Sequence, residues 1–225
     1  SLLGSAVAQF AIVWWMTNKT GSAAVLSMAM LASTLPQGLI GPVAGVLVDR
    51  WSRKAVMIGA DLLVAASSLA LAAVYLHCDP NLLLVYLILA VRSICTAFHW
   101  PAMSASMPLI VPPEHLTRMA GLTQGLQSAA NLIGPALGAV LLGIWHMPGI
   151  MMLDVIGAVV ASFALLLVHI PVPARAAGPA GGEGFMKEMR AGFRALWQTK
   201  GLLLLVVAGA LFTLLLLPVS AMFPL

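Results

Sequence analysis

Three charged side chains lie inside long apolar segments of the sequence: Asp61, Arg92 and Asp154. A charge at the centre of a bilayer costs about 2.5–3.5 kcal/mol on insertion scales, so such a residue rarely faces lipid. Arginine stays protonated and cannot itself carry a proton, but it can keep a neighbouring acid ionised or bind a polar group of a ligand. We therefore predict that Arg92 faces a central cavity and takes part in proton coupling.

Each of these charges also has a purely structural interpretation. Asp61 is expected about two turns into its segment and Asp154 about one turn into its own, where the helix dipole favours a carboxylate. Arg92 would then be tied to backbone carbonyls that neighbouring helix breaks set free. Both acids stay candidates for proton coupling or for the substrate cavity, and His99, near the face of Arg92, has the simpler interpretation of an interior histidine.

The fifth apolar segment carries a polar line and a run of small residues. Gln124 and Asn131 share one helical face and are expected to line a cavity. Gly134 and Gly138 give a smooth face for close helix packing, for which an ordinary packing role stays open. Pro135 has no N–H, so the Asn131 carbonyl loses its usual donor and the helix can bend.

A cluster of charges separates the second and third apolar segments. Asp49 ends the second segment, where the helix dipole is already negative, so its carboxylate should seek a cation or another helix's N-terminus. Three cations follow within five residues: Arg50, Arg53 and Lys54. Gly41 and Gly45, four residues apart, allow a close helix contact beside the cluster.

The composition indicates the environment of the segments that contain these residues. Hydrophobic residues make up 61% of the 225 and charged residues 8%, with a net charge of +4 and a mean hydropathy of +1.04. A soluble domain usually carries about 25% charged residues, so most of this chain must face lipid. The basic residues fall between apolar runs, where membrane topology explains them, and no nucleic acid, metal or other cofactor is predicted.

The fold class is therefore an all-α integral membrane protein. The runs are solidly apolar, which excludes the alternation of a membrane barrel, and lipid requires every backbone group to be satisfied within a helix. The seven predicted segments are Leu2–Met16, Ala23–Leu47, Ala55–Leu76, Leu82–Ile110, Leu116–Trp145, Ile150–Ile170 and Gly201–Met222.

Lysines and arginines collect on alternate connections. The connections at 48–54, 111–118 and 171–200 hold nearly all of them, while the other side holds Lys19 alone. The basic side is cytoplasmic, so the first segment runs from inside to outside. The long connection is predicted to contain an amphipathic helix over Phe185–Lys200 that suits the cytoplasmic membrane surface.

Residues 45–54, GVLVDRWSRK, resemble the G-x-L-x-D-R-x-x-R-K signature of the major facilitator superfamily. Residues 130–139, ANLIGPALGA, resemble the antiporter signature G-x-x-x-G-P-x-x-G-G, with alanine in place of the first and last glycines. Arg92 matches the arginine of the family's R-x-x-Q-G pattern, whereas Cys95 and Thr96 replace its glutamine and glycine.

Four shorter stretches resemble the macrolide-efflux branch of the drug:proton antiporters: QFAIVWW at 9–15, FHWPAM at 98–103, VPPE at 111–114 and LDVIGA at 153–158. The resemblance implies a six-helix N-terminal bundle over residues 1–170, a cytoplasmic linker over 171–200, and the first helix of a second half over 201–225. It also implies that the cluster of Asp49 latches the two halves together on the cytoplasmic side.

The function implied by the resemblance is proton-coupled efflux of lipophilic drugs such as macrolides, in a multi-pass protein of the bacterial inner membrane. A siderophore or lysophospholipid exporter is the nearest alternative. A membrane enzyme would need clustered nucleophiles or acid/base pairs and a channel would need a filter or a ring of charge, so both are disfavoured.

The expected partners are a small-molecule substrate, protons, the lipid bilayer and the C-terminal half of the same chain. The chain is expected to be a fragment, because it has no initiator methionine and its first apolar run is shorter than the ~20 residues of a span.

Overall fold

The computed structural model describes residues 1–171 without a gap, followed by residues 194, 197–199, 201, 203–205, 207–209, 211 and 212. Residues 1–171 form α1 (Leu2–Thr20), α2 (Ala23–Arg50), α3 (Arg53–His77), α4 (Leu82–Ile110), a 3-10 turn (Pro113–His115), α5 (Leu116–Ile144) and α6 (Met147–Leu167). The predicted linker helix and most of the predicted seventh segment fall outside the described residues.

The connection between α2 and α3 is shorter than predicted. Asp49 and Arg50 belong to the last turn of α2, and only Trp51 and Ser52 lie between the two helices. Ser52 is the N-cap of α3, where its hydroxyl accepts a hydrogen bond from the Ala55 backbone N–H at 3.4 Å. This cap starts α3 two residues before the apolar run does.

Two other helices begin or end away from their predicted positions. The helix α1 continues past Met16 to Thr20 and closes at Gly21, whose φ of 55° is the left-handed cap conformation. The helix α6 begins at Met147 rather than Ile150, because Pro148 fits the first helical turn, and it ends at Leu167 rather than Ile170. The bounds of α4 agree with the prediction.

The helices pack in a pattern that maps onto itself when α1–α3 are exchanged with α4–α6. The packing of α2 on α4 corresponds to that of α5 on α1, and the packing of α3 on α4 corresponds to that of α6 on α1. The helices α3 and α6, which exchange with each other, are in contact. This is the arrangement expected of two three-helix units of inverted topology, although the sequence shows no convincing repeat.

The surface of this bundle is apolar. The five helices α2 to α6 are each long and apolar enough to cross a membrane. Large apolar side chains are exposed on them, such as Leu39 at 70%, Leu132 at 79% and Leu167 at 74%. Burial of these side chains requires lipid, so the chain is a multi-pass membrane protein.

Polar contacts mark the two ends of the bundle. At the end predicted to be external, Lys19 lies 3.3 Å from the Asp79 carboxylate and 4.6 Å from the ring centre of Trp15. At the opposite end, Lys54 donates to the carbonyls of Leu166 and Val168 at 2.8 and 2.9 Å. Most of the buried apolar core lies toward the external end, and the polar interior begins just below it.

Candidate functional site

Four polar side chains from four helices meet in the interior and are called here the Arg92 cluster: Ser5 of α1, Ser68 of α3, Arg92 of α4 and Asp154 of α6. Arg92 Nη1 donates to Asp154 Oδ2 and to Ser68 Oγ, both at 2.6 Å. The hydroxyls of Ser68 and Ser5 donate to Asp154 Oδ2 and Oδ1, each at 2.7 Å. One carboxylate therefore joins α1, α3, α4 and α6.

The cluster is withdrawn from solvent and from lipid. Asp154 is 0% exposed, Ser68 1% and Arg92 8%. Charges so deeply buried are tolerated only when they are paired and hydrogen-bonded. Asp154 lies two turns into α6, because that helix begins three residues earlier than predicted. The helix N-terminus therefore does not explain its carboxylate, and that interpretation of Asp154 is wrong; Arg92 is its partner.

A close approach of backbones brings Ser5 to the acid. A Cβ added to Gly4 would lie 3.1 Å from the Asp154 Cα and 3.1 Å from the Leu153 carbonyl oxygen. Only glycine permits α1 to lie this close to α6. The next residue along α1 is Ser5, whose hydroxyl then reaches Asp154 directly.

Arg92 also borders a polar recess. This space, the Arg92 recess, has a volume of about 400 Å³ and opens between α1, α2, α4 and α5. Its other polar side chains are Ser5, Gln9, Ser33, Gln37, Ser93, Thr96 and Asn131. Among the described residues, the hydrogen bonds of the Arg92 guanidinium all start at Nη1, and its other N–H groups have no partner there.

The other interior acid, Asp61, stands apart from the cluster. It is 6% exposed, and its Oδ1 lies 3.7 Å from Nε2 of His99, which is beyond hydrogen-bond length. Its Oδ2 is buried and has no hydrogen-bond partner among the residues that the structure describes. Asp61 and His99 line a second recess of about 220 Å³, the Asp61 recess, together with Trp100.

The polar face of α5 is shared between these spaces. Asn131 lines both recesses. Gln127 lines the Asp61 recess and donates to Asn131 Oδ1 at 3.4 Å. Gln124 is exposed one turn further toward the cytoplasmic end and lines neither recess.

The small residues of α5 make the contact with α1. A Cβ added to Gly134 would lie 2.6 Å from Ala6 Cβ, and one added to Gly138 would lie 2.7 Å from Cδ1 of Phe10. The helix stays continuous through Pro135. These glycines therefore hold α5 against the helix that carries Ser5.

The charges at the end predicted to be cytoplasmic bind the ends of neighbouring helices. Arg53 Nη1 donates to the Ala105 carbonyl near the end of α4 at 2.7 Å, and Arg53 Nη2 lies 3.7 Å from Asp49 Oδ1. Lys54 reaches carbonyls at the C-terminal end of α6. A cation is unfavourable in the first turn of its own helix and favourable at a helix C-terminus, which accounts for both directions.

No helix lies against Gly41 or Gly45 within the described residues, so the close contact that they allow stays a prediction. A Cβ added to either glycine would meet no atom within 4 Å. The spacing of small residues marks a face on which two helices can approach, but it does not say whether a helix lies there. Gly41 lines a further recess beside Trp100 of α4.

Sequence reasoning missed Ser5, Ser68 and Gln127. Serine and glutamine inside an apolar segment usually bond to their own helix, so their type alone is a weak signal. Gln127 follows Gln124 by one turn and precedes Asn131 by one turn, and this spacing on one face would have identified it. Ser5 and Ser68 carry no comparable pattern.

Comparisons with known proteins agree on one family. The profile of the Major Facilitator Superfamily matches residues 1–225. A Streptococcus pyogenes protein named macrolide efflux protein A is 44% identical over 228 residues, which is 100% of this chain and 55% of that protein. A protein of the same name from Enterococcus faecalis is 43% identical over 91% of this chain and 63% of its own length.

A more distant relative carries a different printed name. An enterobactin exporter of Citrobacter koseri is 29% identical over 202 residues, 88% of this chain and 46% of the relative. The chain thus spans about half the length of the curated relatives it matches.

Proposed function

The chain belongs to the Major Facilitator Superfamily, and from that premise we propose that it forms the N-terminal half of a proton-coupled exporter of lipophilic compounds, macrolides among them. The family consists of membrane transporters of small molecules. The direction of transport, the coupling ion and the substrate are the finer parts of the proposal, as is its location in a bacterial inner membrane.

The Arg92 cluster is the observation that carries proton coupling. An ion pair whose carboxylate is engaged at both oxygens by other helices responds to protonation of its acid, because a neutral carboxyl no longer holds the guanidinium. Asp154 accepts from three helices. Loss of its charge would free Arg92 toward the adjoining recess and loosen α1, α3 and α4 from α6.

The two recesses support the proposal that this half of the transporter helps to bind the substrate. Ser5, Val64, Thr96 and Asn131 line both the Arg92 recess and the Asp61 recess, so the two spaces adjoin. Both open on the α1, α4 and α5 side of the bundle, where a second half would close over them. Transporter sites of this kind lie between the halves, near the middle of the membrane.

Relatives support macrolides over the alternatives. The identity to the two macrolide efflux proteins extends over 91–100% of the chain at 43–44%. Identity to the enterobactin exporter is 29%, which keeps a siderophore as the second candidate substrate class.

The cytoplasmic charge cluster and the domain organisation belong to the same proposal. Asp49, Arg50, Arg53 and Lys54 lie at one end of the bundle, next to the open face of Gly45. We propose that this end meets the second half of the transporter and that residues 171–200 connect the two halves.

The test uses the complete transporter in bacterial cells that lack other drug exporters. Accumulation of a radiolabelled macrolide should fall when the transporter is expressed and should return to the level of empty cells after a protonophore is added. Efflux that persists in the presence of the protonophore would contradict proton coupling, and accumulation that never falls would contradict macrolide export.

Two substitutions of Arg92 connect the assay to the structure. Arg92→Ala should abolish uphill efflux while leaving binding measurable, and Arg92→Lys should retain a charge but lose the planar guanidinium. Arg118→Ala, which removes an exposed arginine at the cytoplasmic end, is the matched control and should keep efflux. Uphill efflux at the wild-type rate by a stably inserted Arg92→Ala protein would refute the role of Arg92.

A further inference from the structure

The carboxylate of Asp61 is buried and incompletely satisfied. Its side chain is 8% exposed, and no residue in the described part of the chain hydrogen-bonds Oδ2. Buried carboxyl oxygens in proteins are nearly always hydrogen-bonded, and an unsatisfied one costs free energy. An acid kept in this state on the wall of a recess is suited to a partner that arrives from the recess.

The recess presents an aromatic ring beside this acid. Trp100 follows His99 directly along α4 and is 41% exposed, so its indole is available to a bound molecule. The amides of Gln127 and Asn131 face the same space from α5. An acid, an indole face and neutral amides are the groups that recognise an organic cation with an apolar body.

The charges around Asp61 leave its carboxylate without a strong cationic partner. From α4, it is faced by His99 at 3.7 Å and by the thiol of Cys95. The other polar side chains that line the recess are Ser1, Ser5 of α1, Thr96 of α4, and Gln127 and Asn131 of α5, none of which is a cation. The nearest permanent cation on α4 is Arg92, which is already held by Asp154 of α6.

We propose that the Asp61 recess binds the positively charged group of a lipophilic organic cation, with Asp61 as its counter-ion and the Trp100 indole against its apolar body. The inference rests on the proposed function for its statement that the bound cation is a substrate. It narrows the substrate class: an anionic substrate would meet an uncompensated carboxylate here and be repelled. The adjoining Arg92 recess provides the room for the rest of a drug-sized molecule.

The test compares two probes of equal size and opposite charge. Tetraphenylphosphonium and tetraphenylborate are each measured for binding to the purified complete transporter in detergent by equilibrium dialysis. The wild-type protein should bind the phosphonium cation at least about tenfold more tightly than the borate anion, since a unit charge near a partly dry carboxylate changes affinity by about 10- to 100-fold. No detectable binding of the phosphonium, or equal binding of the two, overturns the proposal.

Two substitutions assign the site. Asp61→Asn should lower phosphonium affinity by about 10- to 100-fold and leave borate binding unchanged or tighter. Trp100→Leu should lower phosphonium affinity by about 2- to 30-fold, because it removes the indole face. Glu114→Gln removes an exposed acid at the cytoplasmic end and should bind both probes like the wild type. Wild-type phosphonium affinity in a folded Asp61→Asn protein overturns the proposal.

This binding assay needs neither a proton gradient nor export, so it fails separately from the proposed function. Macrolide efflux together with unchanged phosphonium binding in Asp61→Asn would remove the cation site and leave the exporter. Weakened phosphonium binding in Asp61→Asn without any macrolide efflux would keep the cation site and remove macrolide export.

Discussion

Two carboxylates lie in the interior of this bundle, and their surroundings differ. Asp154 accepts hydrogen bonds from Ser5, Ser68 and Arg92 and is 0% exposed. Asp61 is 6% exposed, has His99 at 3.7 Å, and keeps one oxygen that no described residue hydrogen-bonds. The same residue type at nearly the same degree of burial therefore joins helices in one place, and in the other we propose that it is the counter-ion of a ligand.

The largest effect should come from neutralising the satisfied acid. Asp154→Asn leaves the Arg92 charge buried without its counter-ion, which costs about 3–5 kcal/mol. Asp61→Asn removes an acid that has no close cation, so the change should stay below about 1 kcal/mol. Thermal unfolding of the purified transporter, followed by tryptophan fluorescence, measures both.

A double substitution tests whether the loss comes from the unpaired charge. Arg92→Met together with Asp154→Leu removes both charges, and replacement of a buried pair by apolar residues is often neutral. The double variant should therefore recover most of the stability that Asp154→Asn loses. Equal destabilisation by Asp154→Asn and Asp61→Asn would contradict the conclusion that only Asp154 stabilises the bundle.

Removal of one hydroxyl from the Arg92 cluster should have the next largest effect. Ser68 accepts from Arg92 and donates to Asp154, so Ser68→Ala should cost about 1.5–3 kcal/mol, as for hydrogen bonds to charged groups. Its neighbour Ser67 bonds only to the Val64 carbonyl of its own helix, and Ser67→Ala is the matched control. A loss in the control as large as in Ser68→Ala would show that helix packing, and not the ion pair, sets the value.

A third prediction concerns the approach of α1 to the satisfied acid. The methyl group of Gly4→Ala would meet the backbone of Leu153 and Asp154, so we expect overpacking of about 1–3 kcal/mol and displacement of Ser5 from the carboxylate. Gly41→Ala, at a glycine with open space around it, should not destabilise. Chemical denaturation of both variants gives the comparison, and equal stability would contradict the close approach.

The smallest effect is expected on the side of Asp61. The distance from His99 to Asp61 exceeds a hydrogen bond, and His99 is 27% exposed, so His99→Gln should change stability by less than about 1 kcal/mol. Thermal unfolding again provides the measurement. A large loss would mean that this pair is a structural contact like that of Arg92, and Asp61 would no longer be open to a ligand.

Much of the fold could be predicted from the sequence because lipid imposes simple rules. Every backbone group needs an internal partner, so apolar runs such as Leu82–Ile110 become helices over their whole length. Helix ends were less certain. Polar residues continue α1 to Thr20 and α2 to Arg50, since the end of the apolar run marks the membrane surface and not the last hydrogen bond.

The pairing of Arg92 with Asp154 was not predicted, although both were identified as candidates. Which acid meets the arginine depends on how α4 packs against α6, and no local pattern encodes that choice. The depth of each charged residue along its helix narrows the choice of partner for Arg92. Arg92 and Asp154 lie about 15 and 10 Å from the external ends of their helices, whereas Asp61 lies about 12 Å from the opposite end. The arginine side chain is long enough to span the difference in depth between Arg92 and Asp154.

The sequence could not predict that Asp61 Oδ2 would have no hydrogen-bond partner among the described residues. Burial and hydrogen bonding depend on the neighbours that the whole bundle supplies, and here α4 supplies a histidine at 3.7 Å. The sequence offered Asp61 as a helix N-terminal acid or as a cavity residue. The recess beside Trp100 favours the second interpretation, which stays a prediction until binding is measured.

The separation of Arg92 from Asp154 also affects how the protein is made. The two residues are 62 positions apart, and ribosomes add about 5–20 residues per second, so the arginine exists for about 3–12 s before its counter-ion. During that time α4 carries a charge that costs about 2.5–3.5 kcal/mol to leave in the bilayer unpaired. Release of α4 into lipid should therefore await the emergence of α6, and Asp154→Asn should slow membrane integration of α4 during translation.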